Sequence, residues 1–155
     1  MPHFFTTRRI ALTPAQAYAI AADVASYKEF LPLLNRSTVR GEKQRHGNTE
    51  IFDADLQVAF EKLGLRESFT SHVVADSDNR LVTATSSDGP LKSLKAVWKI
   101  VVAPDDQTDV SIAIDYTLKS MMLQIIVGKF MDFAAQKILQ AFEERGRVLY
   151  GAALS

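Results

Sequence analysis

The sequence predicts an α+β domain, a curved antiparallel seven-stranded sheet wrapped around one long C-terminal helix, with two short helices after the first strand. Three observations lead there. Most of the chain after Pro32, as far as Leu118, alternates apolar and polar residues with a period of two, broken by turn residues. Helix-start signals cluster just after the first strand. The last stretch, from Lys119 onward, carries a helical pattern of about 30 residues, roughly 45 Å at 1.5 Å per residue. A sheet with one apolar face must cover it, and that helix is the only element large enough.

Each element follows in order. His3 to Ala11 reads as a strand. Thr13-Pro14-Ala15-Gln16 is a capping box with Pro at the first helical position, opening a helix to about Val24. Ser26-Tyr27-Lys28-Glu29 reads as a second box, and Pro32 should stop its helix near Phe30. Arg45-His46-Gly47-Asn48 separates one strand from the next. Phe52, Ala54, Leu56, Val58 and Phe60 alternate with Asp53, Asp55, Gln57 and Glu61, giving one dry and one wet face. Leu63-Gly64, Asp76 to Asn79, Ser87 to Pro90 and Pro104 to Gln107 are further turns. Ala96, Trp98, Ile100 and Val102 form one strand face; Val110, Ile112, Ile114, Tyr116 and Leu118 form another. No repeat, linker or low-complexity segment interrupts residues 1–155, so the whole reads as one domain.

The long helix raises the functional question. In its second half Ala134, Ile138, Ala141, Phe142, Val148 and Leu149 make one stripe toward the sheet, opposite Gln136, Lys137, Gln140, Glu143 and Glu144. In its first half Leu123, Val127, Phe130 and Met131 continue the stripe, but Met122, Ile126 and Phe133 widen it and Met121 and Ile125 sit behind. A docked helix needs only one apolar stripe. The surplus either packs under the short helices, lines an apolar cavity, or meets a membrane or a partner.

Composition excludes several functions. Eighteen basic and eighteen acidic residues cancel, which removes the charge expected of a chain that grips phosphate backbone, and no DNA partner is expected. Without cysteine there is no disulfide scaffold, thiol nucleophile or Cys-ligated metal. His3, His46 and His72 lie far apart, outside any metal-ligand spacing, and no catalytic residue, metal or catalytic cofactor is expected. Asp53 and Asp55 share a strand face, but the wet one. Lacking a signal-like start or a bilayer-length apolar run, the chain reads as cytoplasmic.

Several stretches together resemble the coenzyme Q-binding protein family of the START-like, polyketide-cyclase-like superfamily with the helix-grip fold. They are Tyr27-Lys28-Glu29-Phe30-Leu31-Pro32, Ser37-Thr38-Val39, Leu65 to Ser71, Asp88 to Leu94 with Trp98, Ala141 to Arg145, and Leu149-Tyr150-Gly151. The match spans Phe4 to Gly151. Leu33-Leu34 stands where members often carry Trp-Cys, and Leu91 where they often carry Phe. The resemblance implies a cavity between sheet and long helix and a guest such as ubiquinone, its precursor or another prenyl lipid, bound in support of ubiquinone biosynthesis and respiration.

Combined with the residue pattern, this gives a candidate ligand site of Phe30, Leu31, Pro32, Phe69, Leu91, Trp98, Ile114, Tyr116, Met122, Ile126, Phe130 and Phe133. Phe30, Leu31 and Pro32 are placed as a lid, and the Tyr116 hydroxyl is the candidate donor to a quinone oxygen. A long tail exceeds the roughly 300–1,000 Å³ of ordinary ligand sites. Partial burial is therefore expected, with the rest of the tail held by a second protomer or by the inner face of the cytoplasmic membrane. The relatives also include bacterial ribosome-association toxins and cyclase/aromatase enzymes. The second reading is thus a ribosome partner and the third a polyketide cyclase.

Overall fold

The computed structural model describes residues 3–151. Strands β1 (His3–Ile10), β2 (Leu34–His46), β3 (Thr49–Phe60), β4 (Leu65–Asp76), β5 (Leu81–Ser86), β6 (Leu91–Val102) and β7 (Thr108–Leu118) form one sheet. Its order is β1-β7-β6-β5-β4-β3-β2, every neighbour antiparallel. The hairpins from β2 to β7 give a simple meander, and β1 adds to the far edge beside β7. Because β1 and β2 are the two edges, the chain between them must cross the concave face. It does so as helix α1 (Pro14–Ala22) and a 3₁₀ segment, Val24–Glu29. Helix α2 (Met121–Tyr150) then lies across the same face, packing on β1, β7 and α1.

Local chemistry explains the boundaries. Thr13 and Gln16 make both bonds of the capping box, Thr13 N–H donating to Gln16 Oε1 at 3.0 Å and Gln16 N–H to Thr13 Oγ1 at 3.1 Å. The second box does not form. Helical geometry restarts at Val24 as 3₁₀, and the Ser26 hydroxyl donates to the Asp23 carboxylate at 2.7 Å instead of capping. Ser120 caps α2 by accepting from Leu123 N–H at 3.2 Å, and Gly151 ends it at φ 79°, its N–H donating to Arg147 carbonyl at 2.8 Å. Register shifts in β2, between Leu34 and Arg36 and between Arg40 and Gln44, and in β6, between Leu91 and Ser93, bend those strands. Bulges of this kind increase local twist and give the sheet its curvature.

The core sits where α1, the 3₁₀ segment and the second half of α2 meet the sheet. Trp98 packs between Tyr27 (centroids 6.2 Å) and Phe142 (5.2 Å), and Tyr27 stands edge-on to Phe30 at 6.0 Å. The buried Tyr27 hydroxyl donates to the Ala21 carbonyl, and burial pushes its pKa well above the usual phenol value. Ser37, fully buried, donates to the Ala25 carbonyl at 3.0 Å and accepts from Lys28 N–H at 3.1 Å, tying the 3₁₀ segment to β2.

One expectation about α2 is corrected. The stripe that meets the core is Val127, Ala134, Ala135, Leu139, Phe142 and Gly146; Val148 and Leu149 face solvent. Helical phase is the reason for Val148, which falls opposite the row Phe142–Gly146–Tyr150; Leu149 lies on the Phe142 side but in the last turn, where it is half exposed.

The two glycines of α2 have opposite roles. A Cβ on Gly146 would lie 2.7 Å from Leu12 Cδ1 and 3.2 Å from its Cγ, so a side chain there requires the buried Leu12 to shift. A Cβ on Gly128 would meet only the Tyr116 hydroxyl, at an ordinary 3.9 Å. Gly128→Ala should therefore raise stability by up to about 1 kcal/mol through helix propensity. Gly146→Ala should lose stability, since overpacking costs about 1–3 kcal/mol. Chemical denaturation of both variants checks the signs.

Candidate functional site

The first half of α2 stands over the end of the sheet, and a cavity of about 640 Å³ lies beside it. Three segments distant in sequence wall it. The first is the lead-in to β2, Pro32 to Asn35; the second is the end of β3 with the 3₁₀ turn that follows, Ala59 to Leu63; the third is one side of α2, Phe130, Phe133, Ala134 and Lys137. The volume is that of an ordinary small-molecule site. Apolar side chains make most of the wall, with Asn35, Glu61, Lys62 and Lys137 as its polar members. Leu33, Leu63, Phe130 and Phe133 are all substantially exposed, so they form the lips of an open mouth.

The backbone at this mouth is specialised. Leu33 adopts φ 69°, a left-handed conformation that costs a non-glycine residue about 1–2 kcal/mol. Its carbonyl accepts from Ala59 N–H at 2.7 Å, which fixes the lead-in loop across the end of β3. Below it, Gly64 (φ 65°) closes the 3₁₀ turn Glu61–Leu63, its N–H donating to the Glu61 carbonyl at 3.1 Å. Strain held by surrounding contacts is typical of ligand clamps. Behind the loop, Arg145 of α2 lies over the Phe30 ring at 5.3 Å and pairs with Glu29 at 3.2 Å, fastening the 3₁₀ segment to the helix.

Of the expected site residues, Pro32, Phe130 and Phe133 come together on this cavity. Phe30 and Leu31 pack half-buried against the core just behind it. Phe69 lies half-buried opposite Leu56 on the concave face, and Ile114 packs against the core. Trp98, Leu91 and Tyr116 are buried, Trp98 within the aromatic stack and Tyr116 with its hydroxyl beside Gly128. Ile126 is half-buried, whereas Met122 is 73% exposed. Sequence reasoning missed Leu33, Leu34, Asn35, Ala59 to Leu63, Ala134 and Lys137 as lining residues. Apolar Leu63 inside a turn was the available signal, since turns otherwise favour small polar residues.

The opposite face of the sheet carries charge. Asp53 pairs with His72 at 2.9 Å and Asp55 with Arg40 at 2.8 Å; the Arg40 guanidinium, then the Thr70 hydroxyl, hold the Asp55 carboxyl below its usual range. A shallow polar depression of about 450 Å³ lies here among Asp53, Thr70, His72, Thr85 and Asp88. Among the described residues no group of three or more His, Asp or Glu side chains is arranged to hold a metal. No helix among them is long and apolar enough to cross a membrane.

A curved sheet gripping a long helix above an open, apolar-walled cavity defines a helix-grip domain of the START-like class. Residues 10–143 match the family model described as polyketide cyclase / dehydrase and lipid transport, and the chain belongs to that family. It is 24% identical over 150 residues to ribosome association toxin RatA of Rickettsia prowazekii, covering 95% of this chain and 97% of that one. It is 27% identical over 152 residues to the mitochondrial coenzyme Q-binding protein COQ10 of Dictyostelium discoideum, covering 96% and 71%. Among solved structures, the 18 kDa protein CC1736 of Caulobacter crescentus is similar at 30% identity and a TM-score of 0.82, covering 98% of this chain and all of that one.

Leu33 offers a test of the mouth. Asn tolerates a left-handed backbone better than Leu. Leu33→Asn should therefore leave the thermal midpoint unchanged or slightly raised. Differential scanning calorimetry checks this; an unfolded variant would show that the side chain is core and not lip.

Proposed function

We propose that this protein binds the head and first isoprene units of a polyprenylated quinone, ubiquinone or its precursor, and acts as its carrier or chaperone. The observation that carries this is the open cavity of about 640 Å³, walled by Pro32, Leu33, Phe60, Phe130 and Phe133. Each CH₂ buried there contributes about 0.8 kcal/mol. Its size suits a head group and part of a tail, with the remainder leaving through the mouth. The likeness to a coenzyme Q-binding protein over 96% of the chain supports the choice of guest. No catalytic chemistry is part of this reading.

Likeness to ribosome association toxins favours a second reading, a partner of the ribosome. The balanced charge of 18 basic and 18 acidic residues weighs against it, because ribosomal RNA calls for a basic surface.

Calorimetric titration with a short-tailed ubiquinone tests the first reading. Saturable binding is expected, weakened about tenfold in Phe130→Ala as one aromatic wall is lost. Because Phe130 is 41% exposed, the variant should remain folded. Absence of binding by the unmodified chain, together with salt-sensitive pelleting on ribosomal subunits, would replace it by the second.

A further inference from the structure

We propose that the outward stripe of the first half of α2, together with the cavity lips, is a docking surface for an anionic lipid bilayer. Met121, Met122, Ile125 and Phe133 are 81%, 73%, 58% and 65% exposed. At helical spacing they fall within one side of α2, and their exposure shows that neither the sheet nor the short helices cover that side. The stripe is continuous with the cavity, because Phe133 belongs to both. Leu33 and Leu63 extend the same apolar surface across the mouth.

Charge selects the occupant. Lys119, Lys129 and Lys137 run along this part of the chain against Asp132, and Lys62 joins Lys137 at the mouth. The acidic neighbour Glu61 is already paired with Arg66 at 3.5 Å. None of the ion pairs among the described residues engages these four lysines. A bilayer with anionic headgroups satisfies both features, burying the apolar ridge at the acyl boundary while the lysines stay at headgroup level. A second copy of this chain fits less well, since a twofold contact of the stripe with itself sets lysines against lysines. RNA would engage the lysines but leave Met121, Ile125 and Phe133 in water.

The proposal deepens the lipid-carrier reading and rests on it for its purpose: a mouth opening inside the docked surface lets an apolar guest pass without crossing water. Docking itself can be measured without any guest. The ligand-free 155-residue chain is sedimented with vesicles of phosphatidylcholine plus phosphatidylglycerol, and with phosphatidylcholine alone. Binding is expected to the anionic vesicles and to weaken with added salt. Met121→Ser with Ile125→Ser should reduce it at least about tenfold, and Lys129→Glu by about fivefold or more. These positions lie outside the cavity wall and are exposed, so the variants should keep the fold and their affinity for short-tailed quinone. Vesicle binding by a chain that takes no quinone supports the docking surface while removing the carrier reading. No vesicle binding, binding indifferent to the three substitutions, or a dimer dispersed by the Ser variants would each overturn the docking surface.

Discussion

The stack of Tyr27, Trp98 and Phe142 is the contact on which the rest of the molecule depends. It joins the crossing segment, the middle of the sheet and the second half of α2 through three buried rings. Removing a buried Phe or Trp side chain typically costs about 3–5 kcal/mol, a large share of a domain's net stability. The stack clamps the far half of the helix, and the near half is tied to the end of β7, where Leu118 N–H donates to Gln124 Oε1 at 2.8 Å and Val127 is buried. The cavity exists in the space left between that near half and β3. Its apolar walls follow from the same geometry, since Phe130 and Phe133 project from a helix that has no sheet close enough to bury them fully.

The lead-in loop closes the arrangement. Arg145 holds the 3₁₀ segment by its stacking on Phe30 and its pairing with Glu29, and Ser37 anchors that segment to β2. Leu33 then bends into a left-handed turn that Ala59 stabilises from the end of β3. A strained non-glycine residue at the cavity lip, held by a backbone hydrogen bond, suits a clamp better than a packed interior. The exposed apolar stripe of α2 and its lysines belong to the same end of the molecule as the cavity mouth, with Phe133 and Lys137 common to both.

Much of this was legible in the sequence wherever the determinant is local. The Thr13–Gln16 box, the alternating strands and the final helix are short-range patterns, and the structure contains each of them. The second box misled because Ser26 lies within a 3₁₀ segment, where its hydroxyl finds the Asp23 carboxylate first. Val148 misled because apolar character does not fix helical phase, and Leu149 because lying on the side of Phe142 does not by itself bring cover in the last turn of the helix. The width of the apolar face on α2 was visible in Met121 to Phe133, but its meaning was not. That depends on which surfaces meet it, and the walls around Leu33 and Leu63 come from segments some 70 to 100 residues away in the chain. Trp98 and Tyr116 point the same way as the pocket-forming strands yet are buried in packed protein, a distinction that strand alternation cannot make.

Whether an apolar guest occupies the space between α2 and the end of the sheet is read by mass spectrometry of the protein purified natively from the cell that makes it, without detergent. A prenyl quinone or its precursor is expected in near-stoichiometric amount, depleted in the Phe130→Ala variant purified in parallel. A folded protein free of any apolar molecule, sedimenting instead with ribosomal subunits, would contradict that expectation.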